Sequence, residues 1–324
     1  MPRHALASPR RTRGVALLTA MLLVALIASL AAGVVWQQWQ AVQVESAERA
    51  RAQSQWILGG ATDYARLILR EDARNGGYDA LSEPWATPLA EARLSSFLAT
   101  DPDRRADQGP EAFLSGEIRD LQSRYNLLNV VAATPEVRNR EARTLARVLA
   151  AAGLAPGLAT QLSQTMRLAV PSMSIASDAA AGEALADRPL RPARLRDLRW
   201  MGLDEAALRA LEPLLTLLPV TTPLNLNTAP REVLAAVLDV DSSTAERLVQ
   251  ARARKPLANL SEARSLLPAT VELDADRLAV ASSWFEVRGR LRLEERIVEE
   301  HAVLERRGVD VLTVFRERRA AFAP

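Results

Sequence analysis

The chain has no cysteine and only two histidines. Without cysteine there is no disulfide framework, no thiolate zinc site and no cysteine nucleophile. His4 lies in a basic leader and His301 stands alone, which removes histidine-centred catalysis and metal binding by a histidine cluster. Acids are absent from the first 14 residues, where Arg3, Arg10, Arg11 and Arg13 crowd together. Setting those four aside leaves 37 basic against 39 acidic residues, so the body of the chain is near neutral and gives little electrostatic reason to bind nucleic acid. Formal charge is missing altogether from Gly14 to Val44, a run of 31 residues. What is present is apolar: 48% of 324 residues, enough for a sizeable core and about two domains beyond the uncharged run.

The 22 residues Val15 to Trp36 exceed the ~20 that a helix needs to cross a bilayer. Arginines stay on the cytoplasmic side, so the N-terminus is expected inside and the remaining ~280 residues outside, with Trp36 and Trp39 at the outer aromatic belt. Three readings fit. Ser29-Leu30-Ala31 offers the small residues of a secretory cleavage site, although the apolar run continues past it to Val35. An uncleaved anchor is the second. The third rests on the junction Arg13-Gly14-Val15-Ala16-Leu17-Leu18, which resembles class III (type IV pilin-like) signal peptides, cut after Gly on the cytoplasmic side. In that family a Glu normally stands fifth after the cut and pairs with a neighbouring subunit's amine; here the fifth residue is Thr19. An unpaired buried ion costs several kcal/mol. A subunit without that acid has less reason to be recruited beneath another, which suits one with nothing above it.

Helical periodicity continues beyond the uncharged run. Val42, Trp56, Ile57, Gly60, Tyr64, Leu67 and Ile68 mark a broad apolar stripe, with Glu45, Glu48, Arg49, Arg51, Asp63 and Arg66 largely elsewhere. One helix from Val15 to about Arg70 would be ~84 Å long. A coiled-coil stalk would make the same stripe, but the heptad is not sustained. Asn75-Gly76-Gly77-Tyr78 ends the helix, and a loop-rich stretch follows around Glu83 to Pro88 and Asp101 to Asp103. Glu117 to Val131 predicts a strand or hairpin edge. From Pro135 to Leu267 Ala, Leu and Arg recur at helical spacing, with Ser172 to Asp187 as a surface loop. Alternation returns in Trp284–Leu293, Arg296–Glu305 and Val309–Arg316, so three antiparallel strands close the chain. With one strand before the helical block, this implies a sheet interrupted by a helical insertion.

Two patterns suggest chemistry. Leu224 to Arg254, continued by Leu257 to Leu266, resembles a helix-hairpin-helix or SAM-like module, in which Thr228 can N-cap and Pro230 sits in the first turn. In DNA-binding versions two hairpin glycines approach a phosphate. Asp239 and Asp241 occupy those positions here and would repel it. The alternating acids Asp101, Asp103, Asp107 and Asp274, Asp276 could offer oxygens to calcium, but neither group has the glycine and distal Glu of an EF-hand loop. Paired acids of a membrane-anchored periplasmic hydrolase remain the alternative function.

Five segments together resemble the type II secretion system protein K family, the large minor pseudopilins. They are the Gly14/Val15 junction, Glu83 to Pro88 around Trp85, Leu121-Gln122-Ser123-Arg124-Tyr125-Asn126-Leu127, Thr222 to Pro230, and Ser283 to Arg290. The resemblance implies an α+β, pilin-like fold in which a long transmembrane helix packs on an antiparallel sheet, with a large all-helical, SAM-like or helix-hairpin-helix-like insertion. It divides the chain into a cleaved leader (1–14), a span (15–36, the helix continuing to about 70), a first pilin-like part (37–131), the insertion (132–281, with 224–267 SAM-like) and C-terminal strands (282–324). It further implies cleavage between Gly14 and Val15 by prepilin peptidase, N-methylation of Val15, contact with inner-membrane lipid, no catalysis, and minor pseudopilins I and J as partners at a filament tip. Some relatives bind calcium, which leaves that ion a candidate without assigned ligands.

Overall fold

The computed structural model describes residues 12–94, 111–132, 134–170, 189–293 and 296–322. The chain divides into two compact units, Met1–Ile57 and Leu58–Pro324. In the first, the helix α1 (Thr12–Asn75) carries the uncharged run, and Val15, Leu18, Leu22, Ile27, Leu30 and Val35 are each more than half exposed. A core helix hides one stripe of such residues. This one shows them all round, and with a mean hydropathy of 2.6 in its most apolar window it is long and apolar enough to cross a membrane.

The second unit begins inside α1, which ends at Asn75, five residues beyond the expected Arg70, where Gly76 N–H closes on the Asp72 carbonyl at 2.9 Å. The chain then forms β1 (Leu89–Arg93) and β2 (Ala112–Asp120), followed by the short β3 (Tyr125–Asn126). Helices α2 (Pro135–Ala151), α3 (Gly157–Ala169) and α4 (Glu205–Leu211) come next, then β4 (Leu215–Thr216) and β5 (Leu224–Asn225). Helices α5 (Arg231–Leu238) and α6 (Ser242–Arg254) lead to β6 (Leu278–Ala279), and β7 (Trp284–Leu293), β8 (Arg296–Arg307) and β9 (Asp310–Phe322) finish the chain. The main sheet is antiparallel throughout, in the order β1-β2-β7-β8-β9. Its neighbours β2 and β7 are joined by everything helical between them. Small parallel pairs β3–β4 and β5–β6 tie that helical part together.

Side chains alternate across the sheet. Phe285, Val287, Ala302 and Leu304 point to the face that packs on Ala65 and Leu69 of α1, with Trp85 edge-on to Phe285 at 5.4 Å. The strip of α1 that enters this core is Leu58, Thr62, Ala65 and Leu69, while Tyr64 and Leu67 of the expected stripe stay outside. The reason is spacing: the sheet takes a narrow row at i, i+4, i+7 and i+11, and leaves the rest of a broad apolar face uncovered. Gly289 lets the helix come close, since a Cβ there would lie 3.2 Å from Leu58 Cδ2. Opposite it in register is Gly116, whose Cβ would fall 2.9 Å from the Arg288 carbonyl oxygen. Backbone cannot yield there as a side chain can. Gly116→Ala is therefore expected to cost about 1–3 kcal/mol, read as a lowered thermal midpoint, whereas an unchanged midpoint would contradict the contact.

Two local expectations change. Only Glu117 to Asp120 of the Glu117 to Val131 segment is main-sheet strand. After it Asp120 accepts from Gln122 N–H and Asn126 from Leu128 N–H, and these caps turn the chain into two short 3-10 stretches around β3. β1 was not visible in the loop-rich stretch because its sequence, LAEAR, is short, lacks strand-favouring residues and lies mostly exposed at the sheet edge. The segment Ser172 to Asp187 lies outside the described residues. Between the strands the helices enclose their own core, in which Leu145, Leu149, Leu162, Met166, Leu198, Leu211, Leu234 and Leu248 are fully buried.

Candidate functional site

Gly14 and Val15 both lie within α1, and no charged side chain follows until Glu45. The Thr19 hydroxyl donates to the carbonyls of Val15 (3.0 Å) and Ala16 (2.9 Å), and Ser29 to that of Ala25 (2.8 Å). Each hydroxyl is thus satisfied by its own helix, the arrangement hydrocarbon requires. A Thr at this position presents neither charge nor a spare donor to a neighbour. Trp36 and Trp39 sit side by side with ring centroids 5.4 Å apart.

In the second unit, residues scattered through the sequence converge on one buried polar network. Asp120, at the end of β2, accepts from Gln122 N–H (2.7 Å), Asn225 Nδ2 (3.1 Å), Thr228 Oγ1 (2.5 Å) and Ser282 Oγ (2.7 Å). Asn225 also donates to the Asp79 carbonyl, and Ser282 N–H to the Asp79 carboxylate. Arg306 of β8 holds Asp79 at 2.5 Å and Asp72 at 2.8 Å. Gln122 reaches the Pro223 carbonyl and accepts from Ser283 N–H, while Asn126 and Asn129 bracket Thr222. Arg252 fixes the same loop by donating to the carbonyls of Leu226 and Ala229. Thr228 therefore does not cap α5; Pro230 takes the N-cap position, because the Thr hydroxyl is spent on Asp120. Burial pushes the Asp120 carboxyl up to about 6 against the pull of Thr228 and Ser282, and burial with the nearby Asp79 and Glu83 raises Asp72 to about 7.

The outer face of β7 carries Glu286. Burial alone would raise its carboxyl, but the His301 hydrogen bond and the charges of Arg124 and Arg288 prevail and bring it down to about 2. Such a group stays ionised at every physiological pH, the opposite of a general acid. The hydrolase alternative draws nothing from it.

Of the predicted calcium ligands the structure describes Asp274 and Asp276. Asp274 faces Arg140 at 3.3 Å and accepts from Asp276 N–H at 2.9 Å, which is a turn rather than a coordination shell. Asp101, Asp103 and Asp107 lie outside the described residues. Among the described residues Asp72, Asp79 and Glu83 do cluster, but Arg306 already pairs with two of them, and Glu83 is taken by Ala80 N–H and the Trp85 indole. Asp239 and Asp241 stand between α5 and α6 as expected. Asp239 is left-handed (φ 56°) and pairs with Arg147, and Asp241 caps α6 through Thr244 N–H. Phosphate would meet two carboxylates there.

Within the second unit, the end of α1 lies on one face of the antiparallel sheet. A family model for type II secretion system (T2SS) protein K matches residues 224–286, the stretch that holds Asn225, Thr228, Ser282 and Glu286. Type II secretion system protein K of Pseudomonas aeruginosa is 32% identical over 264 residues, 76% of this chain and 74% of that one. Its counterpart in Pectobacterium carotovorum is 27% identical and covers 95% of this chain and 96% of its own. Among solved structures, a chain of the GspK-GspI-GspJ complex from enterotoxigenic Escherichia coli has the same fold, with a TM-score of 0.63 at 18% identity, over 86% of this chain and 99% of that chain. The chain belongs to the type II secretion system protein K family and is a minor pseudopilin.

Proposed function

We propose that this subunit caps the tip of a pseudopilus, together with minor pseudopilins I and J, and helps to start its assembly. Its role on this reading is mechanical and not catalytic. The observation that carries it is Thr19: where a filament subunit would present a carboxylate to a neighbour's terminal amine, this one has a hydroxyl already bound to its own helix. Prepilin peptidase would cut between Gly14 and Val15 and the new Val15 amine would be methylated. The helix then lies in inner-membrane lipid, N-terminus cytoplasmic, with the rest of the chain periplasmic. The solved relative with this fold comes from a complex with I and J proteins, which supports those partners. Exposed Trp56, Tyr64 and Leu67 offer an apolar helix face for them to cover.

On the same reading, residues 37–131 and 282–324 form the pilin-like domain and 132–281 the helical insertion. Within it α5 and α6, in the 224–267 stretch, make a SAM-like hairpin that serves packing, since Asp239 and Asp241 deny it a phosphate. The insertion is too bulky for another subunit to sit above it. Mass spectrometry of the N-terminal peptide from the native membrane is expected to show methylated Val15. An intact Met1, or a start at Ala32, would end the proposal.

A further inference from the structure

The helical part meets the outer face of the sheet across a cleft of about 1350 Å³, and the two ends of that contact differ in kind. At the root, where the chain leaves β2 and returns to β7, the contact is buried: Asp120, Asn225, Thr228 and Ser282 bond one another, and Leu121, Leu218 and Trp284 form a small apolar cluster. At the far side it is ionic and partly exposed. Glu317 of β9 receives Arg194 at 2.9 Å and Arg196 at 3.0 Å, and Arg194 also lies over the Phe315 ring at 3.9 Å. Arg288 of β7 reaches Glu212 at 2.9 Å. These side chains remain between 23% and 52% exposed.

We propose that the helical part is a hinged arm, pivoting at the Asp120–Ser282 root and held shut over the sheet by an arginine–glutamate latch centred on Glu317. Exposed ion pairs are individually weak and fade with salt. A small polar interface of this kind opens before the buried root does. Opening uncovers the ladder of Arg288, His301 and Glu317 that the registers place side by side on β7, β8 and β9. A subunit with such an arm can present two surfaces, one with the arm shut and one with it open. The inference does not depend on the tip assignment, because it concerns the arm and sheet of one chain.

The absence of cysteine makes a clean test available. Ala206 and Thr313 are exposed, one on the arm and one on β9. Ala206→Cys with Thr313→Cys in the full chain, spin-labelled in detergent micelles, reports the gap by pulsed dipolar spectroscopy. In low salt one short distance is expected. Raising salt to 1 M, or introducing Glu317→Ala in low salt, is expected to raise the ratio of long to short distances about fivefold. Glu299→Gln, which also lines the cleft but whose ion pair among the described residues is with Arg290 on the sheet, should leave the distribution unchanged. A single distance that neither salt nor Glu317→Ala alters, in protein whose circular dichroism is native, overturns the hinge. So would an equal shift in Glu299→Gln.

Discussion

Asp120→Ala is expected to remove roughly 3–5 kcal/mol of stability, the largest loss from any single side chain of the polar root. Four donors converge on that carboxylate from Gln122, Asn225, Thr228 and Ser282, and all four residues except Gln122 belong to segments more than a hundred positions away in sequence. Deletion strips Gln122 N–H and the Thr228 and Ser282 hydroxyls of their buried acceptor, while Asn225 keeps the Asp79 carbonyl. Urea unfolding of the full chain in detergent, followed by tryptophan fluorescence, measures the loss, and a change below about 1 kcal/mol would show that water satisfies the network instead. Asp120→Asn keeps the shape and isolates the charge. The folded carboxyl titrates at about 6 against 3.8 when unfolded, so between those values the folded state holds more protons. Stability from this group is complete below pH 3.8 and is lost as pH rises through 6, by about 3 kcal/mol in all. The asparagine variant should be flatter over that window. Glu286 acts in the opposite direction: its contribution is present above 4.5 and lost as pH falls through about 2.

The second large effect is at the N-terminal junction. Gly14→Leu is expected to abolish cleavage and leave only the full-length precursor on an immunoblot, while Gly14→Ala is cut slowly. On the proposed cleavage, the residue before the cut enters the peptidase beside the membrane surface, where glycine presents no side chain and a branched one is expected to obstruct binding. On the same proposal, assembly is expected to fail with processing. Normal mobility of the Gly14→Leu protein would show that the junction lies elsewhere.

Much of the architecture was legible because it is periodic. The uncharged run gave the apolar helix, and the alternation in Trp284–Leu293 matches β7 residue for residue. The return into three antiparallel strands followed from the same change of period, whereas of the two sheet strands before the helical block only the end of β2 was anticipated. What stayed hidden was aperiodic. Asp79, Asp120, Ser282 and Arg306 lie far apart, and nothing in their spacing announces that they share one network. The asparagines of the Leu121 to Asn126 and Leu224 to Thr228 blocks look like turn formers, whereas their amides bind distant backbone. Thr228 shows the limit most plainly: local rules make it a helix cap, and a tertiary carboxylate claims it. On α1 the apolar stripe was visible but the row chosen by the sheet was not, since Thr62 joins it through Glu300 at 2.5 Å. A polar residue in a core row has no signature in hydropathy.

Because β2 and β7 are adjacent and antiparallel, the sheet contains a hairpin whose turn is itself a folded body of roughly 160 residues. As a disordered loop, that length would cost about 3 kcal/mol more to close than a tight turn by the logarithmic rule. Once the arm has folded, with its two ends fixed at Asp120 and Ser282, the cost disappears and the strands meet as if joined by a short connection. The folded arm therefore presents β2 and β7 to each other as a short connection would, at no loop-closure cost of its own length.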